Sequence, residues 1–194
     1  MRKMAVLLSG SGRTLDNFHR RSQDGTMRAK IQVVVSNVAD ALGLEKARNY
    51  GYPAFHATGN PAINEILGRY DIDLIALAGY LKLYEPPAYL KKNVLNIHPS
   101  LIPSFCGPGF YGHHVHEAVK ARGCKVSGCT VHFANELYDE GPIVVQKCVP
   151  IDDEDTPDDI ADKVFAAECE AFPEAINLVD EKGIDYFWNR VEKA

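Results

Sequence analysis

With 194 residues and 21.5 kDa, the chain is long enough for one well-filled core and short for two, so a single domain over residues 1–194 is expected. Its 46% hydrophobic and 24% charged residues match the globular averages of roughly 45–50% and about 25%, which excludes collagen-like, coiled-coil and disordered classes. A formal charge of −5 repels a phosphate backbone, and no apolar run approaches the roughly 18 residues of a membrane span, so neither nucleic acid nor membrane is an expected partner.

Met1-Arg2-Lys3 leads straight into a buried-strand pattern in place of a signal peptide, and the five cysteines contain no C-x-x-C pair. A cytoplasmic protein with reduced, mostly buried thiols is therefore expected. Short runs rich in Val, Ile and Leu recur at residues 4–8, 31–36, 53–56, 72–78 and 94–98, each followed by turn residues. This is the pattern of parallel strands covered on both faces. Helical spacing falls between them at 15–20, 41–48 and 61–70, the last with Asn60 as a cap and Pro61 at the first helical position. The alternation predicts an α/β fold with a doubly wound, mostly parallel sheet and right-handed crossovers.

Between the first strand and first helix stands Ser9-Gly10-Ser11-Gly12-Arg13-Thr14. At the carboxyl end of a parallel strand, backbone N–H groups and a helix N-terminus converge on an anion. Leu15 stands where a dinucleotide fingerprint needs its third glycine, and no Lys-Ser/Thr pair completes a P-loop. A plain tight turn and a monophosphate cradle both fit, with Ser, Arg and Thr adding donors for the second. In the strand at 94–98, alternation places Asn96 and His98 on one face just before Pro99. An amide that donates to a developing oxyanion and an imidazole that moves protons form a small acyl-transfer kit; two satisfied side chains at a capped strand end are the alternative.

After Pro99 a glycine-rich loop at 105–112 precedes a helix at 113–122, and two β runs at 126–133 and 143–149 form a hairpin. Asp139 lies between them, before Gly141-Pro142, where a turn is the local reading and a site carboxylate is the reading in company with Asn96 and His98. Thr156-Pro157-Asp158-Asp159 opens a long helix at 157–182, stopped by Gly183. No Ser or Cys sits on a nucleophile elbow, so the nucleophile is expected on a substrate. His113-His114-x-His116 divides its imidazoles between two helix faces without an acid at helical spacing, so no metal is expected. Glu168 reads as exposed helix surface unless a substrate amine lies beside it.

Asn96-Ile97-His98-Pro99-Ser100-Leu101-Ile102-Pro103, with Leu77-Ala78-Gly79-Tyr80-Leu81 before it and Gly128–Phe133 and Asp139-Glu140-Gly141-Pro142 after it, resembles the folate-dependent formyltransferases. The resemblance spans nearly the whole chain and includes the Ser9 to Leu15 segment. It implies a Rossmann-like sheet and transfer of a formyl group from the cosubstrate 10-formyltetrahydrofolate to the amine of 5-phosphoribosylglycinamide in purine biosynthesis. Asn96, His98 and Asp139 match the family's catalytic trio. Gly12, Arg13 and Thr14 match its phosphate loop, and Glu168 an acid beside the glycinamide amine, with residues 165–168 the helical turn around it. Leu81, Lys82, Leu83, Tyr84, Asn96, Asn135, Glu136, Leu137, Tyr138 and Asp139 match its folate pocket.

The chain departs from the family in a shortened segment between His56 and Asp71, in Lys82 where an arginine is usual, and in the insertion-like loop from Cys106 to Gly112. Three other uses of the scaffold fit less well. A formyl-folate hydrolase is expected to carry an N-terminal domain, for which residues before Met4 leave no room. A tRNA formyltransferase is expected to carry a C-terminal tRNA-binding domain. A non-catalytic binder would not need all of Asn96, His98 and Asp139. A monomer or homodimer acting on small molecules is expected.

Overall fold

Along β1, Arg2–Leu8, Met4, Val6 and Leu8 turn to one face and Ala5 and Leu7 to the other, and all five are fully buried. A strand with no solvated face must be covered by helices on both sides. The structure, a computed structural model, describes residues 1–191; residues 192–194 of the expected 1–194 domain lie outside the description. After β1 come α1 Arg13–Gln23, β2 Ala29–Ser36, α2 Leu42–Asn49, β3 Ala54–His56, α3 Asn60–Leu67 and β4 Leu74–Leu77. A 3₁₀ turn at Ala88–Leu90 leads to β5 Val94–His98, α4 His113–Arg122, β6 Val126–Phe133, β7 Ile143–Pro150, α5 Pro157–Lys182 and α6 Ile184–Val191.

The strands form one sheet in the order β3-β2-β1-β4-β5-β6-β7, with β1 to β5 parallel and β6 and β7 antiparallel, as the predicted hairpin requires. Leu15 and Phe18 of α1, Leu44 of α2 and Phe172 and Ile176 of α5 pack with Met4, Val6 and Leu8. On the other face Ile63 and Leu67 of α3 pack with Ala5, Leu7, Val33 and Val35. Edge-on contact between Phe18 and Phe172, 4.9 Å between ring centroids, locks α1 to α5. From β1 the chain winds outward through β2 and β3 and then returns to β4 on the other side of β1. That reversal leaves a crevice at the carboxyl ends of β1 and β4, where open α/β sheets bind their ligands.

Helices α4 and α5 have the predicted bounds. Thr156 and Asp159 close a reciprocal capping box: Thr156 Oγ1 accepts the Asp159 N–H at 3.2 Å, and Asp159 Oδ2 accepts the Thr156 N–H at 2.9 Å. The bounds of α3 and β4 are corrected, and a further helix, α6, is added. Asn60 is the first residue of α3 and Gly59, at φ 83°, is its cap; beyond Gly68 the chain tightens into i→i−3 bonds from Arg69 to Ile66 and from Tyr70 to Leu67, so the predicted extension to Tyr70 is not α-helical. β4 is confined to Leu74–Leu77, although Ile72 and Ala78 at its ends are buried as the apolar run suggested. α6 follows Gly183, its aromatic run made helical by tertiary contact: Phe187 and Trp188 lie 5.8 and 5.9 Å from the Phe133 ring.

Candidate active site

Parallel strands β1, β4 and β5 end side by side, and the loops that leave them enclose a cleft of about 650 Å³. Its walls include residues 10–14 after β1, residues 77–84 around the end of β4, residues 96–99 at the end of β5, the loop at 107–112 with His113 of α4, and Phe165 and Glu168 of α5.

At the floor, Asn96 and His98 project from β5 as strand alternation requires, His98 only 4% exposed. Asp139 approaches from the β6–β7 connection, with its backbone held at φ 61°, a left-handed conformation that Asp tolerates better than most residues. Its Oδ2 lies 3.6 Å from His98 Nδ1 and accepts the Gly107 N–H at 2.9 Å. The other His98 nitrogen, Nε2, is 2.8 Å from the Phe105 carbonyl. Both ring nitrogens thus face oxygen acceptors, an arrangement that the imidazolium satisfies fully. Burial pushes His98 below its usual value, opposed by the Asp139 charge and the Phe105 carbonyl. Burial alone would raise Asp139, but His132, the Gly107 N–H and His98 together hold its carboxyl below the usual range. The carboxylate is therefore ionised, and burial favours the neutral form of the imidazole.

His132 is a member of this cluster that the sequence reading did not single out. It is 1% exposed and pairs in register with Asn96 across the β5–β6 ladder. Its Nδ1 lies 2.9 Å from the Phe133 carbonyl and its Nε2 lies 3.2 Å from Asn96 Nδ2. Asp139 Oδ1 is 3.5 Å from the same nitrogen. His132 thereby sits in contact with both Asn96 and Asp139 and joins them in one cluster. Antiparallel pairing of the 94–98 and 126–133 runs was the signal that could have found it.

At the other end of the cleft, Gly12 at φ 73° turns the chain into α1. A Cβ there would lie 2.7 Å from the Gly43 Cα, so the loop is pressed against the start of α2 and only glycine fits. Arg13 lays its guanidinium 3.8 Å over the Phe165 ring and reaches Asp162 Oδ1 at 3.4 Å. Glu168, which the helix pattern alone reads as surface and the family resemblance as a site acid, is half-buried in the cleft wall; burial pushes its carboxyl up to about 7, with Arg13 opposing. Helical spacing could not show this, because nothing local in α5 states that its acidic stripe faces a cleft.

Leu81, Lys82 and Leu83 line the cleft as exposed side chains, with Leu81 at 61% and Leu83 at 49%. Tyr84 borders it but is only 5% exposed, packed in the core with its hydroxyl donating to Asn64 Oδ1 at 2.7 Å. Asn135, Leu137 and Tyr138 also line the cleft, and the Leu137 N–H donates to Asn135 Oδ1 at 3.0 Å. Glu136 does not: it pairs with Lys91 Nζ at 2.5 Å outside the wall. His116, 5% exposed, also lines the cleft, and burial lowers its imidazole to about 4.

The reading of the histidine run needs one correction. Glu117 does supply an acid at helical spacing, 3.0 Å from His114 Nδ1 and 3.9 Å from His113 Nε2. Among the described residues no His, Cys, Asp and Glu side chains cluster in a group of three or more that could hold a metal ion.

A family profile described as formyl transferase matches residues 2–176. The chain is 36% identical to the chloroplastic phosphoribosylglycinamide formyltransferase of Arabidopsis thaliana, an alignment that covers 95% of this chain and 68% of that one. The corresponding protein of Vigna unguiculata is also 36% identical, covering 94% and 62%. The chain thus spans about two thirds of the length of these plant relatives. The crystal structure of glycinamide ribonucleotide transformylase 1 from Symbiobacterium toebii superposes with a TM-score of 0.85 at 38% identity, covering 94% of this chain and 89% of that one. With the matched profile reaching from β1 into α5 and so enclosing every wall of the cleft, the chain belongs to the formyl transferase family.

Proposed function

We propose that the chain transfers a formyl group from 10-formyltetrahydrofolate to the amine of 5-phosphoribosylglycinamide, a step of purine biosynthesis. The observation that carries this reading is the joining, in one cleft, of an anion cradle at residues 10–14 to the Asn96, His98 and Asp139 cluster. A phosphate at the N-terminus of α1, aided by Arg13 and Thr14, anchors the ribonucleotide, and Glu168 orients its amine. Leu81, Lys82, Leu83, Asn135, Leu137 and Tyr138 supply a mixed apolar and polar wall for the folate. The plant relatives named phosphoribosylglycinamide formyltransferase support the same substrates.

The amine attacks the formyl carbon, forming a C–N bond and placing negative charge on the formyl oxygen. The side-chain amide of Asn96 donates to that oxygen. Breaking the bond to the folate nitrogen requires a proton on that nitrogen, and the amine gives one up. His98, held by Asp139, stabilises the charge and assists the transfer. The folate is consumed as a cosubstrate, and no step calls on a metal.

A cytoplasmic site of action fits the five free cysteines. Among the described residues no helix is long and apolar enough to cross a membrane. The direct test offers 10-formyltetrahydrofolate with each of three acceptors, namely the ribonucleotide, water and methionyl-tRNA. Formylated ribonucleotide as the dominant product is expected. Faster release of formate, or formylation of the tRNA, would replace the reading.

A further inference from the structure

Ser9 belongs to the anion loop by sequence but lies behind the cleft wall, 9% exposed. Its hydroxyl donates to Asn37 Oδ1 at 2.6 Å and accepts the Leu81 N–H at 3.0 Å. Its backbone N–H donates to the Gly79 carbonyl at 3.0 Å. The ladder between β1 and β4 ends at the pair Leu7 and Leu77. Beyond it, Ser9 continues the pairing with side chain and main chain, and so ties the first turn of the anion loop to the stretch that opens the opposite wall.

Beyond Tyr80, which packs against the core, that wall has little else to locate it. Leu81 and Leu83 are 61% and 49% exposed, so core packing fixes neither, and the next buried anchor is Tyr84. A hydroxyl carries a single proton; Asn37 takes it, which turns the oxygen's lone pairs towards the Leu81 N–H. Bonds of this kind set distance, and reacting groups must meet at roughly 3–3.5 Å, where a misplacement of about 1 Å can cost about 10²-fold in rate.

We propose that Ser9 is a positioning residue that fixes the spacing between the two halves of the cleft, the anion cradle at residues 10–14 and the wall that begins at Leu81, and thereby the approach of the acceptor amine to the formyl carbon. The inference rests on the function proposed above. Asn37 is the outer member of the same link.

The experiment compares single-turnover formyl transfer at saturating ribonucleotide and 10-formyltetrahydrofolate, and the Kd of each substrate alone, in wild type, Ser9→Ala, Ser9→Thr and Asn37→Ala. Ser9→Ala should slow transfer about 10- to 100-fold with each Kd within about threefold of wild type. Ser9→Thr, which keeps the hydroxyl, should recover most of the rate. Asn37→Ala, which leaves the Leu81 bond without its orienting acceptor, should fall between the two and keeps the test sound where Ser9→Ala does not fold. Transfer within twofold of wild type in Ser9→Ala and Asn37→Ala would overturn the proposal. So would a rate loss matched by loss of both affinities and not recovered by Ser9→Thr, which marks a collapsed loop. An inactive wild type would instead overturn the proposed function, and this inference with it.

Discussion

Glu168 shows how burial changes what a residue can do. An exposed glutamate titrates near 4.5, whereas the half-buried Glu168 is pushed up to about 7. Between those values the unfolded chain releases the proton that the folded chain keeps, so stability falls as pH rises from 4.5 to 7 and the penalty is constant above. Glu168→Gln should therefore stabilise the protein by on the order of 2 kcal/mol at pH 8 and leave it unchanged at pH 4, while weakening ribonucleotide binding more than folate binding. Denaturant unfolding at the two pH values and titration with each substrate read this out. The same gain at both pH values, with wild-type affinity, would return Glu168 to ordinary surface. At this scale the sequence was partly legible. Asn96 and His98 follow from strand alternation, and Asp139 from its loop. His132 and the inward face of Glu168 depend on which segments pack together, and no local pattern states that.

Among the elements, the turn from β1 to α1 does two jobs. It presents backbone N–H groups to an anion, and its close approach to Gly43 seats α1 against α2. Gly12→Val should thus do more than crowd a phosphate: a Cβ 2.7 Å from the Gly43 Cα, on a backbone at φ 73°, should lower stability by roughly 1–3 kcal/mol as well as abolish tight ribonucleotide binding. Thermal unfolding and calorimetric binding separate the two effects. Wild-type stability with lost binding would mean that the contact with α2 yields freely, and intact binding would remove the cradle. Strands and the two capped or well-spaced helices α4 and α5 were legible because hydrophobic period and cap chemistry are local. The helix α6 was not, since Tyr186-Phe187-Trp188 carries a strand-like composition and is made helical by packing on Phe133.

Taken whole, the molecule keeps several histidines buried at one end of its sheet, and its stability should respond to acid accordingly. Burial drives His116 from an ordinary 6.5 to about 4, with His113 and His98 adding repulsion, so its contribution is present above about 6.5 and is lost as pH falls to about 4. His98 shifts in the same direction. The wild type should lose stability between pH 7 and 4 by on the order of 3 kcal/mol more than His116→Gln, measured by urea unfolding across that range. Parallel pH curves for the two proteins would contradict the buried, unprotonated imidazole. The doubly wound order was legible from alternating runs and helices; the reversal between β1 and β4, which makes the cleft, is a property of the assembled sheet.

The central claim is that Asn96, His98 and Asp139 act on one formyl-transfer transition state within that cleft. It is tested most directly by single-turnover transfer from 10-formyltetrahydrofolate to 5-phosphoribosylglycinamide, both saturating, in folded wild type and His98→Ala. Loss of a positioned acid/base typically costs about 10²–10⁴-fold, so His98→Ala should transfer at least about 10²-fold more slowly while binding both substrates with nearly unchanged affinity. A His98→Ala enzyme that transfers the formyl group at close to the wild-type rate would contradict the account.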